Sequence, residues 1–141
     1  MFRLPINLYY WVQATKLYHH SEFLEAYEKL SKIKTKFPTM LIKINLLQAS
    51  CLFSIREFNH SISYFKKVLN LLNSGEGRLK KNDIHYLKKY IFQFLLSHYI
   101  DNNNNQMIEE VHKELEQLTC AIENVEVMLL HYFPIHNDNF L

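Results

Sequence analysis

Two stretches of the chain, residues 10–33 and 45–68, carry the same sequence of apolar and polar positions 35 residues apart. Gln13, Ala14, Leu17, Glu22, Phe23, Ala26, Leu30 and Ile33 correspond to Gln48, Ala49, Leu52, Glu57, Phe58, Ser61, Phe65 and Val68, while Thr15 answers Ser50 and Tyr18 answers Phe53. In each copy the small residue and the leucine that follows it three positions later share one helical face. Phe23, Ala26, Leu30 and Ile33 then recur at steps of 3, 4 and 3, which is the apolar stripe of a second amphipathic helix. A polar break, Ser21-Glu22 or Arg56-Glu57, separates the two faces. Each copy therefore predicts a helical hairpin, in which Ala14, Ala26, Ala49 and Ser61 let two axes approach closely and Leu30 and Phe65 fill the space beside them.

The remaining elements follow from turn chemistry. The spacing predicts a first helix from about Pro5 to His19, and a second that starts behind Ser21 as cap and ends near Lys36, ahead of Pro38. Thr39 is the candidate cap of a third helix ending near Ile55, and Glu57 or Asn59 opens a fourth that runs to about Leu72. Both glycines of the chain, Gly75 and Gly77, fall in the stretch 73–82, which reads as a flexible loop with a small basic cluster of Arg78, Lys80 and Lys81. Asn82 or Asp83 can cap a fifth helix, apolar on nearly every side, with Ile84, Leu87, Ile91, Phe94 and His98 on one of them. Such a helix has to be covered on two faces. After the Asp101–Asn105 turn, Ile108, Val111, Leu115, Leu118, Ile122, Val125, Leu129 and Tyr132 recur at alternating steps of 3 and 4. This heptad seam predicts one long helix that caps the hairpins, the alternative being half of a homodimeric coiled coil through residues 108–132. The start of that helix repeats the spacing of Phe23 to Ile33, so the fifth and sixth helices form a third, drifted hairpin, and residues 134–141 read as a frayed tail.

Composition narrows the class. A chain of 141 residues with 48% hydrophobic content can bury a core as a single domain, and two Gly and three Pro are too few for the turns of an all-β protein of that size. The expected fold class is all-α. A net charge of +2 argues against a polyanion-binding surface such as nucleic acid would need. Cys51 and Cys120 each lie in an apolar helical pattern and read as buried free thiols. The first residues, interrupted by Pro5 and Asn7, lack the shape of a signal peptide, and no apolar run is long enough to span a membrane. A cytoplasmic location is the expectation.

The paired pattern resembles the tetratricopeptide repeat family, whose helix-turn-helix unit of about 34 residues carries W-x2-L-G-x2-Y…A-x3-F…P. Ala14 and Ala49 stand at the family's small position, Leu17 and Leu52 at its tyrosine, Ala26-x3-Leu30 and Ser61-x3-Phe65 at A-x3-F, and Pro38 at the closing proline. Trp11 lies one place from the family's aromatic position, which is Tyr10 here and Asn45 in the second copy, and Asn73 replaces the second proline. The resemblance covers residues 6–73. It implies stacked antiparallel hairpins forming a superhelix: repeat 1 at about 5–38, repeat 2 at 39–73, and a degenerate third hairpin with its cap at 82–133.

The resemblance also implies a function, that of a non-catalytic protein-protein interaction module, adaptor or chaperone-like. A protein or peptide would lie in a groove lined by the first helix of each repeat. Transferred by face, the groove-lining residues are Leu8, Trp11, Thr15, Tyr18 and His19 from the first repeat, with Lys43, Leu46, Ser50, Phe53 and Ser54 from the second. Trp11, off the Ala14–Leu17 stripe, has the character of a solvent-facing peptide anchor. The alternative is that Trp11 and Tyr18 pack on the fifth or sixth helix. The family's clamp for carboxylate-ending peptides uses Lys and Asn in this groove, which Trp11 and Thr15 do not match.

Enzymatic readings find less support. Two E-x-x-H pairs, Glu57/His60 and Glu109/His112, follow Glu28 and Asp83 in an order that resembles the carboxylate-bridged di-metal bundles. Glu57, however, falls in a predicted turn and Glu28 lies off its helix's apolar stripe. His19 and His20 are helix neighbours and do not face each other. No nucleophile elbow or phosphate-binding glycine loop occurs. No cofactor and no metal are expected, and the alternatives to a binding module are a di-metal helical-bundle enzyme or an RNA-binding helical repeat.

Overall fold

The computed structural model describes residues 3–75, 77 and 79–118. These residues form an all-helical fold with no strand among them: α1 (Arg3–His19), α2 (Phe23–Ser31), α3 (Pro38–Ser54), α4 (Phe58–Ser74), α5 (Lys81–Asp101) and α6 (Asn105–Glu116). Helices adjacent in the chain are adjacent in space, α1 on α2, α2 on α3, α3 on α4, α4 on α5 and α5 on α6.

The reversals between α1 and α2, α3 and α4, and α5 and α6 are built alike. Ser21, Arg56 and Asn103 each take the left-handed conformation, with φ of 62°, 65° and 55°. The residue after each of them donates its N–H to a carbonyl five residues back: Glu22 to Leu17 at 2.8 Å, Glu57 to Leu52 at 2.9 Å and Asn104 to Tyr99 at 2.9 Å. The left-handed residue itself bonds three back, Ser21 to Tyr18, Arg56 to Phe53 and Asn103 to Ile100. This pair of bonds is the Schellman motif, which satisfies the orphan carbonyls at a helix end. Glu22, Glu57 and Asn104 then stand immediately before the next helix, their carbonyls accepting from the N–H groups of Ala26, Ser61 and Ile108. Three turns in one register therefore make three hairpins.

The expected caps do not form. Ser21 occupies the left-handed site, and the residue at the start of α2 is Glu22, whose side chain makes no capping bond. Thr39 lies inside α3 behind Phe37 and Pro38, and its hydroxyl donates instead to the Gly77 carbonyl at 2.6 Å. Glu57 opens α4 without a side-chain cap, and α5 begins at Lys81, ahead of Asn82 and Asp83. Of the expected turn residues, Asn104 alone does cap, accepting from the Met107 N–H at 3.3 Å.

Three boundaries also differ from expectation. α2 stops at Ser31 instead of Lys36, closing with bonds from Lys32 to Lys29 and Ile33 to Leu30. Beyond it β-branched Ile33 and Thr35 suit an extended chain, and Pro38 drives Phe37 to φ −74° and ψ 121°. The stretch after α4 is anchored: Gly75, at φ 71°, ends the helix, and Gly77 is buried so closely that a Cβ there would meet Ile42 Cδ1 at 2.8 Å. Lys80 and Lys81 remain exposed. α6 ends at Glu116, where bonds from Gln117 to Glu114 and Leu118 to Leu115 tighten its last turn, so the heptad stripe is not one unbroken helix. The rest of that seam, Cys120, Arg78 and the 134–141 tail lie outside the described residues.

The core is where the repeated pattern places it. Ala14, Ala26 and Ala49 have no exposed surface, and Leu30 and Phe65 are fully buried beside them. Ser61, the counterpart of Ala26, buries its hydroxyl by donating to the Ala49 carbonyl at 2.7 Å, which joins α4 to the backbone of α3. Burying a Leu or Phe side chain contributes about 1.5–3 kcal/mol. α5 is covered on more than one side, with Leu87, Ile91, Phe92, Leu95 and Tyr99 all buried.

A left-handed non-glycine residue costs about 1–2 kcal/mol. Arg56→Gly should therefore raise the midpoint of urea unfolding, by about 0.5–1 kcal/mol in stability, whereas Arg56→Val should lower it by a similar amount or more. Equal midpoints for both variants would contradict the turn geometry.

Candidate functional site

The groove positions read from the sequence separate into buried and accessible groups. Trp11 (5% exposed), Thr15, Leu46 and Ser50 are buried. Trp11 is a core residue and not the solvent-facing anchor that its place off the Ala14–Leu17 stripe suggests, because α1 buries Val12 and Thr15 as well as Ala14. Thr15 donates its hydroxyl to the Val12 carbonyl at 2.9 Å and so offers nothing to a ligand. Tyr18, Lys43 and Phe53 are half-buried, and Leu8, His19 and Ser54 are exposed.

Two of these positions meet on one wall, together with a residue of α5. Ser50 Oγ donates to the Leu46 carbonyl at 3.0 Å and lies 3.1 Å from the Tyr90 hydroxyl. The Tyr18 hydroxyl lies near both. Ser50 and Tyr90 thus tie α3 to α5, with Tyr18 of α1 beside them. Tyr18 stands edge-on to Phe23 at 5.5 Å. Next to it, Phe53 stands edge-on to Phe58 at 5.0 Å and to Phe94 at 4.8 Å, and Tyr90 stands edge-on to Phe94 at 4.8 Å. Aromatic pairs in this orientation add about 0.5–1.5 kcal/mol beyond the area they bury.

Tyr90 and Phe94 are the members of this wall that the groove assignment missed. In the register fixed by the three turns, Tyr90 occupies the place of Leu8 in α1 and Lys43 in α3. Carrying that register into the fifth helix would have found it.

The electrostatics of the wall favour uncharged groups. Burial, reinforced by Cys51, raises the Tyr18 pKa above the usual phenol value, and burial with Tyr18 alongside raises that of Tyr90. Burial pushes the Cys51 thiol up to about 12. The thiol is free and buried, so it carries no thiolate at neutral pH. At the rim, burial and the neighbouring His20 lower the His19 pKa.

The carboxylate and histidine pairs are dispersed. Glu28, Glu57, His60, Glu109 and His112 are exposed, and no group of three or more His, Cys, Asp or Glu is placed to hold a metal among the described residues. In that same set no helix is long and apolar enough to cross a membrane. The chain matches no family model, no curated protein and no solved structure.

The raised values make a prediction about alkaline pH. A group that keeps its proton longer when folded contributes stability that is intact below its unfolded pKa and lost as pH rises through the folded one. For Cys51 that window runs from 9.0 to about 12. The urea midpoint should hold up to the start of this window and fall beyond it, and Cys51→Ala should flatten the fall. An unchanged slope in the variant would contradict the burial of the thiol.

Proposed function

We propose that the chain is a non-catalytic helical-repeat module that binds a protein or peptide along the face shared by α1, α3 and α5. The observation that supports this reading is the Ser50–Tyr90 hydroxyl pair between α3 and α5, with Tyr18 of α1 beside it, at the first helices of three similarly turned hairpins. The paired sequence pattern and its resemblance to the tetratricopeptide repeat support the same reading, as does the packing of each helix on its chain neighbours. Residues available to a partner on this face are Tyr18, His19, Lys43 and Phe53, with Leu8 at the near end.

The chemistry of the face suits recognition. The Ser50 and Tyr90 hydroxyls are engaged with each other, and the aromatic rings are pre-set by edge-on packing, so little side-chain entropy is lost when a partner covers them. Neither α1 nor α3 contains an aspartate or glutamate, so the part of the face that these two helices supply is neutral to basic. The corresponding role proposed is that of an adaptor or chaperone-like binder.

A pull-down from native extract tests it, comparing wild type with a His19→Glu/Lys43→Glu variant whose helicity is checked by circular dichroism. The expected result is a protein partner retained by wild type and reduced about tenfold or more in the variant. A partner list that ignores the substitutions would exclude this face, and no retained protein at all would contradict the module reading.

A further inference from the structure

A second surface lies where α2 stops short. The link from Lys32 to Phe37, neither helix nor strand, passes the beginning of α1, and the two border a cleft of about 930 Å³. Leu8, Ile33, Phe37 and Met40 give it an apolar floor, and Lys34 and Lys36 stand with them on the lining. Phe37 is 76% exposed, more than any other large apolar side chain among the described residues. An aromatic residue held that far into water has lost most of the burial energy its ring could supply.

The backbone of the link is held in place. The Asn7 side chain donates to the Lys34 carbonyl at 2.9 Å and accepts from the Lys34 N–H at 3.3 Å, fastening the link to α1. Thr35 Oγ1 accepts from the Phe37 N–H at 3.2 Å, and Pro38 confines Phe37 to extended backbone. Phe37 is therefore presented by a braced segment, which lowers the ordering cost of docking.

Charge selects the occupant. Between Glu28 and Glu57 the chain has no acidic residue, and this interval holds Lys29, Lys32, Lys34, Lys36, Lys43 and Arg56. α1 adds no acidic residue from the other side. The small net charge of +2 thus hides an acid-free interval of the chain, and the cleft beside it is lined by Lys34 and Lys36 with no carboxylate among its lining residues. We propose that this cleft docks an acidic peptide segment that inserts an apolar side chain against Leu8, Phe37 and Met40 while its carboxylates face Lys34 and Lys36. The inference rests on the binding-module reading and adds to it a partner chemistry and a contact outside the α1–α3–α5 wall. An apolar floor favours a peptide over a nucleic acid, whose phosphates would use the lysines and leave the floor unfilled.

The test is a titration of the ¹⁵N-labelled full chain with a synthetic peptide of aspartates and glutamates around one phenylalanine. A twin peptide with lysines for the acids and a single-stranded oligouridylate serve as competing probes. The acidic peptide should shift the amides of Leu8 and of residues 34–40, less so as salt rises, and the lysine twin should not. Lys34→Glu/Lys36→Glu and Phe37→Ser should each weaken binding by about tenfold or more. Both changes are at exposed positions, and serine is a favoured residue at the helix start that Phe37 occupies, so the rest of the spectrum should stay in place.

The inference is overturned by equal binding of the twin, by oligouridylate moving the same amides more strongly, or by no shifts with any probe. Shifts that depend on protein concentration alone would also overturn it, in favour of a second copy of the chain. Acidic-peptide shifts confined to Tyr18, Phe53 and Tyr90 would overturn the cleft yet leave the module reading intact.

Discussion

The left-handed residue at each hairpin reversal is the constraint on which the rest of the structure depends. Ser21, Arg56 and Asn103 accept an unfavourable φ, and in return two orphan carbonyls at the end of the preceding helix find donors. The same geometry fixes the first residue of the next helix. With Glu22 and Glu57 so placed, Ala26 and Ser61 fall opposite the small residues of the first helices, and Leu30 and Phe65 follow one turn later into the core. The Ser61 hydroxyl can reach the Ala49 carbonyl only because the two helices approach this closely. Repetition of one turn thus sets helix direction, helix register and core composition together.

Much of this was legible in the sequence, for a physical reason. An amphipathic hairpin repeats its small and large residues at fixed intervals, so the match of Ala14-Leu17-Ala26-Leu30 to Ala49-Leu52-Ser61-Phe65 is visible without any structure. Other features were hidden. Ser21 and Thr39 are good caps by residue type, but type does not tell which side of a left-handed turn a serine occupies, or that a threonine hydroxyl will find the Gly77 carbonyl. Ile33 continues the spacing of α2 and is buried as expected, yet it lies outside the helix in the link to α3, because one buried apolar residue fits a helical stripe and a non-helical link equally. Helical angle puts Trp11 off the inward stripe and so leaves it open between a solvent-facing and a packed position; burial of α1 on several sides decides for the packed one.

The candidate surfaces differ in how they would attract a partner. On the wall of α1, α3 and α5, polar groups are matched internally and the rings are packed edge-on, so contact there depends on shape and on the half-exposed Tyr18 and Phe53. At the cleft beside Phe37, exposed apolar surface and two exposed lysines lie together, so contact there depends on dehydration and charge. The cleft lies beside the acid-free α1 and the acid-free interval between Glu28 and Glu57, whereas the wall also takes in Tyr90 and Phe94 of α5, a helix that carries Asp83 and Asp101. The acidic partner is therefore proposed for the cleft alone.

The central claim is that three hairpins bring their first helices onto one wall, with Ser50 of α3 against Tyr90 of α5. A double-mutant cycle tests it most directly: Ser50→Ala, Tyr90→Phe and both together, each measured by urea unfolding. A part-buried hydroxyl pair should show a coupling energy of about 0.5–1.5 kcal/mol, because removing either partner already removes the bond. Losses that add to within about 0.3 kcal/mol would mean that the two hydroxyls do not meet, and the wall would have to be abandoned.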